Sequence, residues 1–441
     1  MAPREAPGVS RWSVGEPDEG VTGSVHCFSR GSGFGQPDPG GDRLEQAPGA
    51  RGSREYPGRM RRLLALVSAI IFVDAMLYTA LTPLVPNYAD EFDLSKTGAG
   101  LLIAAFGAGA LLGGVPGGIA AARFSPKHAV VGGLILLGIA SFAFAFAGEA
   151  VTLGLARFVQ GFSSTVTWAG ALAWVSGAAP RAQRGEVLGI AFGAAVAGAI
   201  LGPMFGGGAE AVGIQASFAT LGVVALGFAV LALLGGSAPC EPLSTAGVVR
   251  AFRDRRFLGG LWLNTLPAML FGTLVVLAPL ALDDAGWSTL GIAGVFFVAG
   301  LVEVAINPVL GRASDRIGRL LPIRIALVGS VVVAIALAAS SEPVVIALLV
   351  GAAAITFGAL YTPGMALTSH RAETTGLAQG LAFGIMNTAW AVGALLGPSV
   401  GGALAELQGD PAPYLVGAAL CGLTLLATQL VAAPEVRPRE A

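Results

Sequence analysis

Residues 62–85 read RLLALVSAIIFVDAMLYTALTPLV, a long apolar segment with a single carboxyl group near its centre. A helix needs about 20 predominantly apolar residues to cross the hydrocarbon core of a bilayer. The segment therefore predicts a membrane-spanning helix. Eleven further segments of this kind follow, near 98–121, 129–147, 150–176, 187–209, 214–235, 257–282, 288–311, 321–340, 343–367, 377–404 and 413–433. The sequence thus predicts an all-α integral membrane protein with twelve transmembrane helices.

The composition agrees with a lipid-facing exterior. Of the 441 residues, 54% are hydrophobic and only 12% are charged, whereas soluble domains carry roughly a quarter charged residues. The 65 glycines fit close helix packing in lipid. A net charge of −1 argues against a nucleic-acid partner. Neither the three cysteines nor the three histidines have a spacing typical of a disulfide framework or metal site, so we expect no metal and no cofactor.

Residues 1–59 differ from the rest of the chain because they are polar and lack an apolar run. Such segments cannot bury enough surface to order themselves, and this one also lacks the apolar core of a signal peptide. Met60 directly precedes Arg61 and Arg62, so translation starting at Met60 and a genuine tail both remain open. The predicted organisation is a disordered tail at 1–59, an N-terminal six-helix half at 60–235, a cytosolic linker at 236–256, a C-terminal six-helix half at 257–433 and a cytosolic tail at 434–441.

Charged residues alternate between two sets of connections, which define two ends of the helix bundle. The basic end carries Arg61, Arg62, Arg123, Lys127, Arg181, Arg184, Arg250, Arg253, Arg255, Arg256, Arg312, Arg316, Arg319, Arg324, Arg371, Arg437 and Arg439. The acidic end carries Asp90, Glu91, Asp93, Glu149, Asp283, Asp284, Glu342 and Asp410, with Lys96 as its one basic residue. Because basic loops remain on the cytosolic side, we expect both termini in the cytosol and the protein in the plasma membrane.

The two halves of the chain resemble each other at an offset of about 193–195 residues. The sequence Gly-Pro-Met-Phe-Gly-Gly at 202–207 matches Gly-Pro-Ser-Val-Gly-Gly at 397–402, and Gly198 and Gly393 precede these motifs by the same spacing. Parallel repeats related by an axis along the membrane normal are typical of one transporter architecture, in which the substrate site lies between the halves at mid-membrane.

Three motifs at their expected positions resemble the major facilitator superfamily over essentially all of residues 61–433. The loop signature G-x-x-x-D-R-x-G-R is met by Gly311, Asp315, Arg316, Gly318 and Arg319. The fourth-span signature R-x-x-Q-G is met by Arg157, Gln160 and Gly161, and the fifth-span signature G-x8-G-P-x-x-G-G by Gly193, Gly202, Pro203, Gly206 and Gly207. The resemblance implies two pseudo-symmetric six-helix halves and secondary transport.

The fifth-span motif, to which we add Gly198, is associated in that family with drug/proton antiporters and implies export. An equally simple interpretation is architecture inherited by duplication, because the eleventh span repeats the motif. The first span is similar to that of vesicular amine transporters and related bacterial multidrug exporters. Asn387, however, stands where those amine transporters carry an acidic residue.

Ionisable side chains within membrane spans are costly and are therefore candidates for function. Asp74 lies about 18 Å along the helix from Arg62, at 1.5 Å per residue, and Glu303 lies roughly 13 Å from Arg312 by the same rise. Low dielectric favours the neutral form of a carboxyl, as proton coupling requires. We therefore predict that Asp74 and Glu303 couple protons and substrate. Each could instead form structural hydrogen bonds, with Asn307 as the partner of Glu303.

Arg157 keeps its charge, and Gln160 lies one turn away as a hydrogen-bonding partner. The pair could stabilise a carboxylate on the transport pathway or could simply pin neighbouring helices. Interior polar and aromatic residues supply candidates for the substrate cavity, although core packing is their commoner use. They are Tyr78, Trp168, Phe271, Tyr361, Asn387 and Trp390.

Asp315, Arg316 and Arg319 are predicted to form a cytosolic gate, because a carboxylate and guanidinium groups can form charge-assisted bonds that break during transport. Ordinary positive-inside charge is the alternative. The equivalent position in the first half is Ala122, so that half lacks the acidic latch.

The leading prediction is a monomeric, proton-coupled exporter of small amphipathic or cationic molecules, whose partners are its substrate, protons and membrane lipid. Transport of a sugar, an amino acid or another metabolite is the first alternative, and a transporter-shaped sensor or scaffold is the second. An enzyme is not expected, because no paired carboxylates, Ser/Lys or His cluster is evident. The chain also lacks the phosphate-binding loop of ATP-driven pumps.

Overall fold

The computed structural model describes residues 58–180, 183–236, 247–317, 320–377 and 379–430, without the side chains of 307–317, 379–380 and 430. Within this part of the chain, all regular structure is helical. The helices are α1 (Gly58–Ala80), α2 (Val85–Glu91), α3 (Lys96–Arg123), α4 (Pro126–Ala145), α5 (Ala150–Ala178), α6 (Arg184–Val212), α7 (Ile214–Leu234), α8 (Val248–Arg253), α9 (Arg255–Asp284), α10 (Thr289–Ile317), α11 (Leu320–Ala339), α12 (Pro343–Gly358), α13 (Tyr361–Thr375), α14 (Gln379–Gln408) and α15 (Pro411–Leu430). The predicted tail at 1–59, except its last two residues, and the tail at 434–441 lie outside the described residues.

Eleven helical stretches in the described residues are long and apolar enough to cross a membrane. The predicted fourth span is the twelfth long helix, α5, and its 29 residues reach about 44 Å at 1.5 Å per residue. Its buried residues include Arg157, Gln160, Ser163, Ser164 and Thr167. These polar groups lower its hydropathy, so α5 needs neighbouring helices to shield it from lipid.

Two of the predicted spans are broken helices. The first span consists of α1 and α2, joined by a 3₁₀ turn at Thr82–Leu84. Pro83 in that turn has no N–H for the carbonyl of Thr79, which interrupts the helical hydrogen bonds. The tenth span consists of α12 and α13, with Ala359 and Leu360 between them. Pro363 in the first turn of α13 likewise leaves the Ala359 carbonyl without its helical donor.

The predicted linker at 236–256 contains a short helix. Residues 237–246 lie outside the described part, and α8 occupies Val248–Arg253. Helix α9 begins at Arg255, two residues earlier than predicted, because the Asp254 side chain caps its first turn by accepting from the Arg256 N–H at 2.8 Å.

Glycines set the spacing between α6 and α1. A Cβ atom on Gly198, Gly202 or Gly206 would collide with α1 at the carbonyls of Phe72, Met76 and Ala80 respectively. The bare glycines let the two backbones approach closely, which favours van der Waals packing in lipid. Thr79 adds a hydrogen bond to the Ala199 carbonyl at 2.9 Å.

The second half repeats this packing, as the sequence repeat predicts. Gly393, Gly397 and Gly401 of α14 pack against Thr265, Met269 and Thr273 of α9. Thr273, at the position equivalent to Ala80, donates to the Gly397 carbonyl at 3.0 Å, a hydrogen bond of the same kind as that of Thr79.

The last glycine of each motif packs across the two halves. Gly207 of α6 lies against Leu290 and Ala293 of α10, and Gly402 of α14 lies against Lys96 and Gly100 of α3. Each half has its own apolar core, one built mainly by α1–α7 and the other by α9–α15. The α6–α10 and α3–α14 contacts therefore form the seam between two pseudo-symmetric halves.

Polar contacts join the two halves at the acidic end. Lys96 forms an ion pair with Asp410, and the Thr97 N–H donates to Glu406 at 2.9 Å. Thr289 donates to Asn87 at 3.3 Å. These contacts hold the acidic end of the bundle closed.

Candidate functional site

Asp74 lies in the middle of α1 and is only 3% exposed. Two donors from α5 converge on its Oδ2 atom: the Ser164 hydroxyl at 2.6 Å and the Trp168 indole N–H at 2.7 Å. Its other oxygen, Oδ1, is buried without a hydrogen-bond partner in the described residues. The carboxyl group is thus held by one oxygen, and the other is available to a proton or a donor group.

Arg157 is the basic residue that acts electrostatically on Asp74, but its hydrogen bonds go elsewhere. Its guanidinium group donates to the carbonyls of Leu77 at 3.5 Å and Tyr78 at 3.2 Å. These carbonyls belong to the last turn of α1, where helical N–H partners are missing and the helix dipole favours a cation. Arg157 therefore caps α1 from α5.

The guanidinium group of Arg157 has two further neighbours. It donates to Gln160 Oε1 at 3.1 Å and lies 4.9 Å from the centroid of the Phe106 ring, within the range of a cation–π interaction. Gln160 in turn donates to Ser141 of α4 at 3.5 Å. The predicted pairing of Arg157 with Gln160 is present, and its geometry matches the helix-pinning alternative.

Four of the predicted cavity residues form one aromatic cluster that crosses the seam. Tyr78 packs edge-on against Trp390, with ring centroids 5.3 Å apart. Trp390 lies near the Tyr361 hydroxyl, and Tyr361 stacks on Phe271 at 6.4 Å with an interplanar angle of 4°. Helices α1, α9, α13 and α14 each contribute one ring to this cluster.

The two other predicted cavity residues have different surroundings. Trp168 lies beside Asp74 and packs on Phe192 of α6 at a centroid distance of 5.8 Å. Asn387 is half-buried on α14, three residues before Trp390. The aromatic cluster and Asp74 share helix α1, on which Tyr78 lies one turn beyond the carboxyl.

Glu303 is half-buried on α10 and lies against Gly358 at the end of α12. A Cβ atom on Gly358 would stand 2.5 Å from Glu303 Oε1, so the glycine makes room for the carboxyl at the break between α12 and α13. Glu303 also acts electrostatically on Tyr361. Asp74 shares helix α1 with Tyr78 of the aromatic cluster, and Glu303 is an electrostatic neighbour of its Tyr361. The predicted partner Asn307 has its side chain outside the described residues.

The predicted gate falls mostly outside the described part. Asp315 and Arg316 lie on the last turns of α10, where the backbone alone is described, and Arg319 is outside it. In the first half, which lacks the acidic latch, Lys127 donates to the carbonyls of Leu233 and Gly235 at 2.7 Å each. The basic loop is thus fastened to the end of α7 within its own half.

The predicted antiporter motif divides into buried and exposed positions. Gly198, Gly202, Pro203, Gly206 and Gly207 are buried at helix contacts, whereas Gly193 is exposed and has no atom within 4 Å of an added Cβ. Helix packing accounts for the four buried glycines. Gly193 has no packing role in this structure.

Sequence reasoning missed two residues around Trp168. Phe192 and Phe383 lie 5.8 Å apart by ring centroids, and they extend the contact of Trp168 from α6 to α14. Their position on apolar segments gave no sign of this contact, since aromatic residues in such segments commonly face lipid or core. Ser164 lies three residues beyond the fourth-span motif, and the sequence did not mark it as a donor to Asp74.

The chain is similar in sequence to a family model and to two curated proteins. Residues 67–383 match the family model of the Major Facilitator Superfamily. Multidrug resistance protein 2 of Bacillus subtilis (strain 168) is 22% identical over 363 residues, which cover 79% of this chain and 90% of that protein. The "Probable sulfoacetate transporter SauU" of Cupriavidus necator is 26% identical over 402 residues, covering 84% of this chain and 92% of that protein.

Solved structures share the fold. A bacterial homolog of the human lysosomal transporter Spinster, in an inward-facing and unoccupied conformation, aligns with a TM-score of 0.69 at 15% identity, covering 86% of this chain and 98% of that one. The nucleoside transporter NupG aligns with a TM-score of 0.64 at 15% identity, covering 83% and 98%. The predicted all-α fold of two six-helix halves is confirmed.

Proposed function

This chain belongs to the Major Facilitator Superfamily and is a membrane transporter; we propose that it exports small amphipathic or cationic organic molecules in exchange for protons. Export proceeds by alternating access, in which the seam between the halves opens at one end at a time. The observation that carries the proposal is Asp74, a buried carboxyl with two neutral donors on Oδ2 and none in the described residues on Oδ1.

A charge in these surroundings is costly unless it is neutralised. Two species can neutralise the Asp74 carboxylate, namely a proton or a substrate cation. Once one of them has neutralised the charge, binding of the other is no longer favoured. Binding a cation then favours loss of the proton, and protonation favours release of the cation. Exchange follows from the competition of both species for one carboxyl.

The aromatic cluster supports a flat or cationic substrate. Tyr78 lies one turn from Asp74 on α1, and its ring packs against Trp390 from the second half. Aromatic faces attract cations and offer apolar surface to planar molecules. Glu303 adds a second half-buried carboxyl on the far side of the cluster, where a proton could be held during return of the empty protein.

The direction of transport is supported by resemblance. The fifth-span motif resembles that of drug/proton antiporters, and one relative bears the name of a multidrug resistance protein. We place the protein in the plasma membrane with both termini in the cytosol, because the basic residues lie at one end of the bundle. The protein works as a monomer on this proposal.

The test is a transport panel in proteoliposomes, with ethidium as a flat monocation. We expect an imposed proton gradient to drive ethidium uptake by the wild type, and we expect Asp74→Asn to abolish this uptake. Glu303→Gln should lower the proton-driven rate of uptake and leave ethidium binding unchanged. If both variants transport ethidium and every other tested cation as the wild type does, these carboxyls do not couple protons.

A second candidate is transport of a small organic acid, in line with the name of the second relative. Arg157 favours it in one respect, because its Nε atom is buried without a partner in the described residues. Its other guanidinium nitrogens are occupied by α1 carbonyls and Gln160, which leaves little of the cation for a ligand. Proton-driven uptake of sulfoacetate but not of ethidium would establish this candidate instead.

A further inference from the structure

Trp168 makes two contacts that point in different directions. Its indole N–H donates to Asp74 Oδ2 at 2.7 Å, and its ring packs on Phe192 of α6 with centroids 5.8 Å apart. Phe192 packs in turn on Phe383 of α14, also at 5.8 Å. A continuous series of contacts therefore leads from the carboxyl in the first half to a ring in the second half.

We propose that Trp168 is a positioning residue that couples the Asp74 carboxyl to the closure of the two halves. While Phe383 rests on Phe192, the Trp168 ring is confined and its N–H remains on Asp74. When the halves part at this level, Phe383 leaves, and Trp168 gains freedom to turn away from the carboxyl. This proposal rests on the proposed function, since it assigns a regulation to the same carboxyl.

The physical basis is the effect of a donor on a carboxyl. A hydrogen bond to the charged form stabilises that form, and it is stronger when one partner is ionised. Closure of the seam at this level therefore helps Asp74 remain ionised, and separation favours its protonated form until a substrate cation replaces the proton. Conformation and protonation become linked through one indole ring.

Few other charged groups face Asp74. Arg157 on α5 is its electrostatic neighbour, and Tyr78 lies one turn away on α1. The titratable residues of α6 are confined to its two ends, at Arg184, Glu186 and Glu210. Helix α7, which also packs on α1, carries none. Among the described neighbours of Asp74, the Trp168 hydrogen bond is therefore our candidate for the interaction that changes during transport and alters the protonation of the carboxyl.

The experiment measures protonation of Asp74 without any transported substrate. Dicyclohexylcarbodiimide modifies protonated carboxyls in apolar surroundings, and mass spectrometry of the purified full-length protein reports labelling of Asp74 as a function of pH. Trp168→Phe keeps a ring but removes the N–H. We expect its half-labelling point to move upward by about one pH unit, the equivalent of one charged hydrogen bond.

The coupling is tested by truncating the remote ring. Phe383→Ala should move the half-labelling point in the same direction, although Phe383 does not touch Asp74. Phe205→Ala is the matched control, because Phe205 also lies on an α6 aromatic contact but packs on Phe218 within the first half. The control should leave the labelling profile at the wild-type position.

A double-mutant cycle separates coupling from loosened packing. The Phe383→Ala shift should vanish in the Trp168→Phe background and persist in Ser164→Ala, which lacks the other donor to the same oxygen. Equal shifts in both backgrounds, no shift with Trp168→Phe, or no labelling of wild-type Asp74 at any pH would each overturn the proposal. The labelling experiment measures no transport. Its outcome therefore tests the role of Trp168 even if the protein turns out not to export ethidium.

Discussion

Lys96, the first residue of α3, forms an ion pair with Asp410, which lies between α14 and α15 on the other half. Beside it, the Thr97 N–H donates to Glu406 at 2.9 Å, so a carboxylate of the second half caps a helix of the first. By contrast, the described polar contacts of Lys127 remain within the first half, and Arg371 pairs with Asp254 of the linker. The charges join the halves at the acidic end.

Breaking this ion pair should open the acidic end. Lys96→Glu places two like charges together, and we expect it to favour the open state by about twofold, as a partly exposed pair is worth on the order of 0.5 kcal/mol. The reporter is Thr289→Cys, introduced into a protein without its native cysteines. Thr289 is buried and donates to Asn87 across the two halves, so an impermeant maleimide should reach a cysteine there when the acidic end opens. Labelling should rise with Lys96→Glu.

The charge swap and a remote pair supply the controls. Lys96→Glu combined with Asp410→Lys should return the labelling to its starting level. Arg371→Glu breaks a pair at 3.8 Å with Asp254, the linker residue that caps α9, and should have no effect. If Arg371→Glu raises labelling as much as Lys96→Glu does, the Lys96–Asp410 pair has no special part in closing this end.

Positions within the glycine motif should differ sharply in their tolerance of a methyl group. Gly202→Ala would press a Cβ against Thr79 and the Met76 carbonyl, and overpacking of this kind costs about 1–3 kcal/mol. Gly193→Ala meets open space and should be neutral or slightly stabilising, since glycine is unfavourable in helices. Thermal stability in detergent measures both. Similar melting temperatures would refute the packing role of Gly202.

Arg157 should contribute to stability as well as to transport. Arg157→Gln leaves the carbonyls of Leu77 and Tyr78 without their donors, and unpaired buried groups cost about 1–3 kcal/mol each. The apparent melting temperature should fall clearly, whereas exposed Arg61→Gln, the control, should leave it unchanged. Wild-type stability in Arg157→Gln would show that α1 does not need this cap.

Gly358 should be required for normal transport, because only a residue without a Cβ atom leaves room for the Glu303 carboxyl. Gly358→Ala forces the Glu303 carboxyl out of its position at the α12–α13 break, so the rate of proton-driven ethidium transport should fall toward that of Glu303→Gln. Gly351→Ala on the same helix meets no neighbour and should transport normally. Full activity in Gly358→Ala, with Glu303→Gln impaired, would show that the position of this carboxyl is unimportant.

Much of the fold was predictable because it follows from local patterns. Apolar length marks the spans, and the repeat of Gly202 in Gly397 anticipates the same packing of α6 on α1 and of α14 on α9. The break before Pro363 also has a local cause, since proline removes one helical hydrogen bond. These features depend on residue type and spacing, which the sequence displays directly.

The contacts of the site were less predictable because they depend on how helices cross. Asp74 stood out as an intramembrane charge, but its donors Ser164 and Trp168 come from α5, and no pattern along one helix gives the rotation of another. For Arg157 the sequence left open a partner carboxylate or a helix pin, and its hydrogen bonds to the end of α1 could not be read from its position in the motif. Both carbonyls lie in the last turn of α1, which ends at Ala80.

The most direct measurement is proton release upon ethidium binding to the purified protein in weakly buffered detergent solution. The wild type should release protons in proportion to the ethidium bound, because a cation at the Asp74 carboxyl replaces its proton. Asp74→Asn should release none, although it remains folded. Ethidium binding by the wild type without any proton release, or equal release by Asp74→Asn, would contradict the exchange of cation and proton at Asp74.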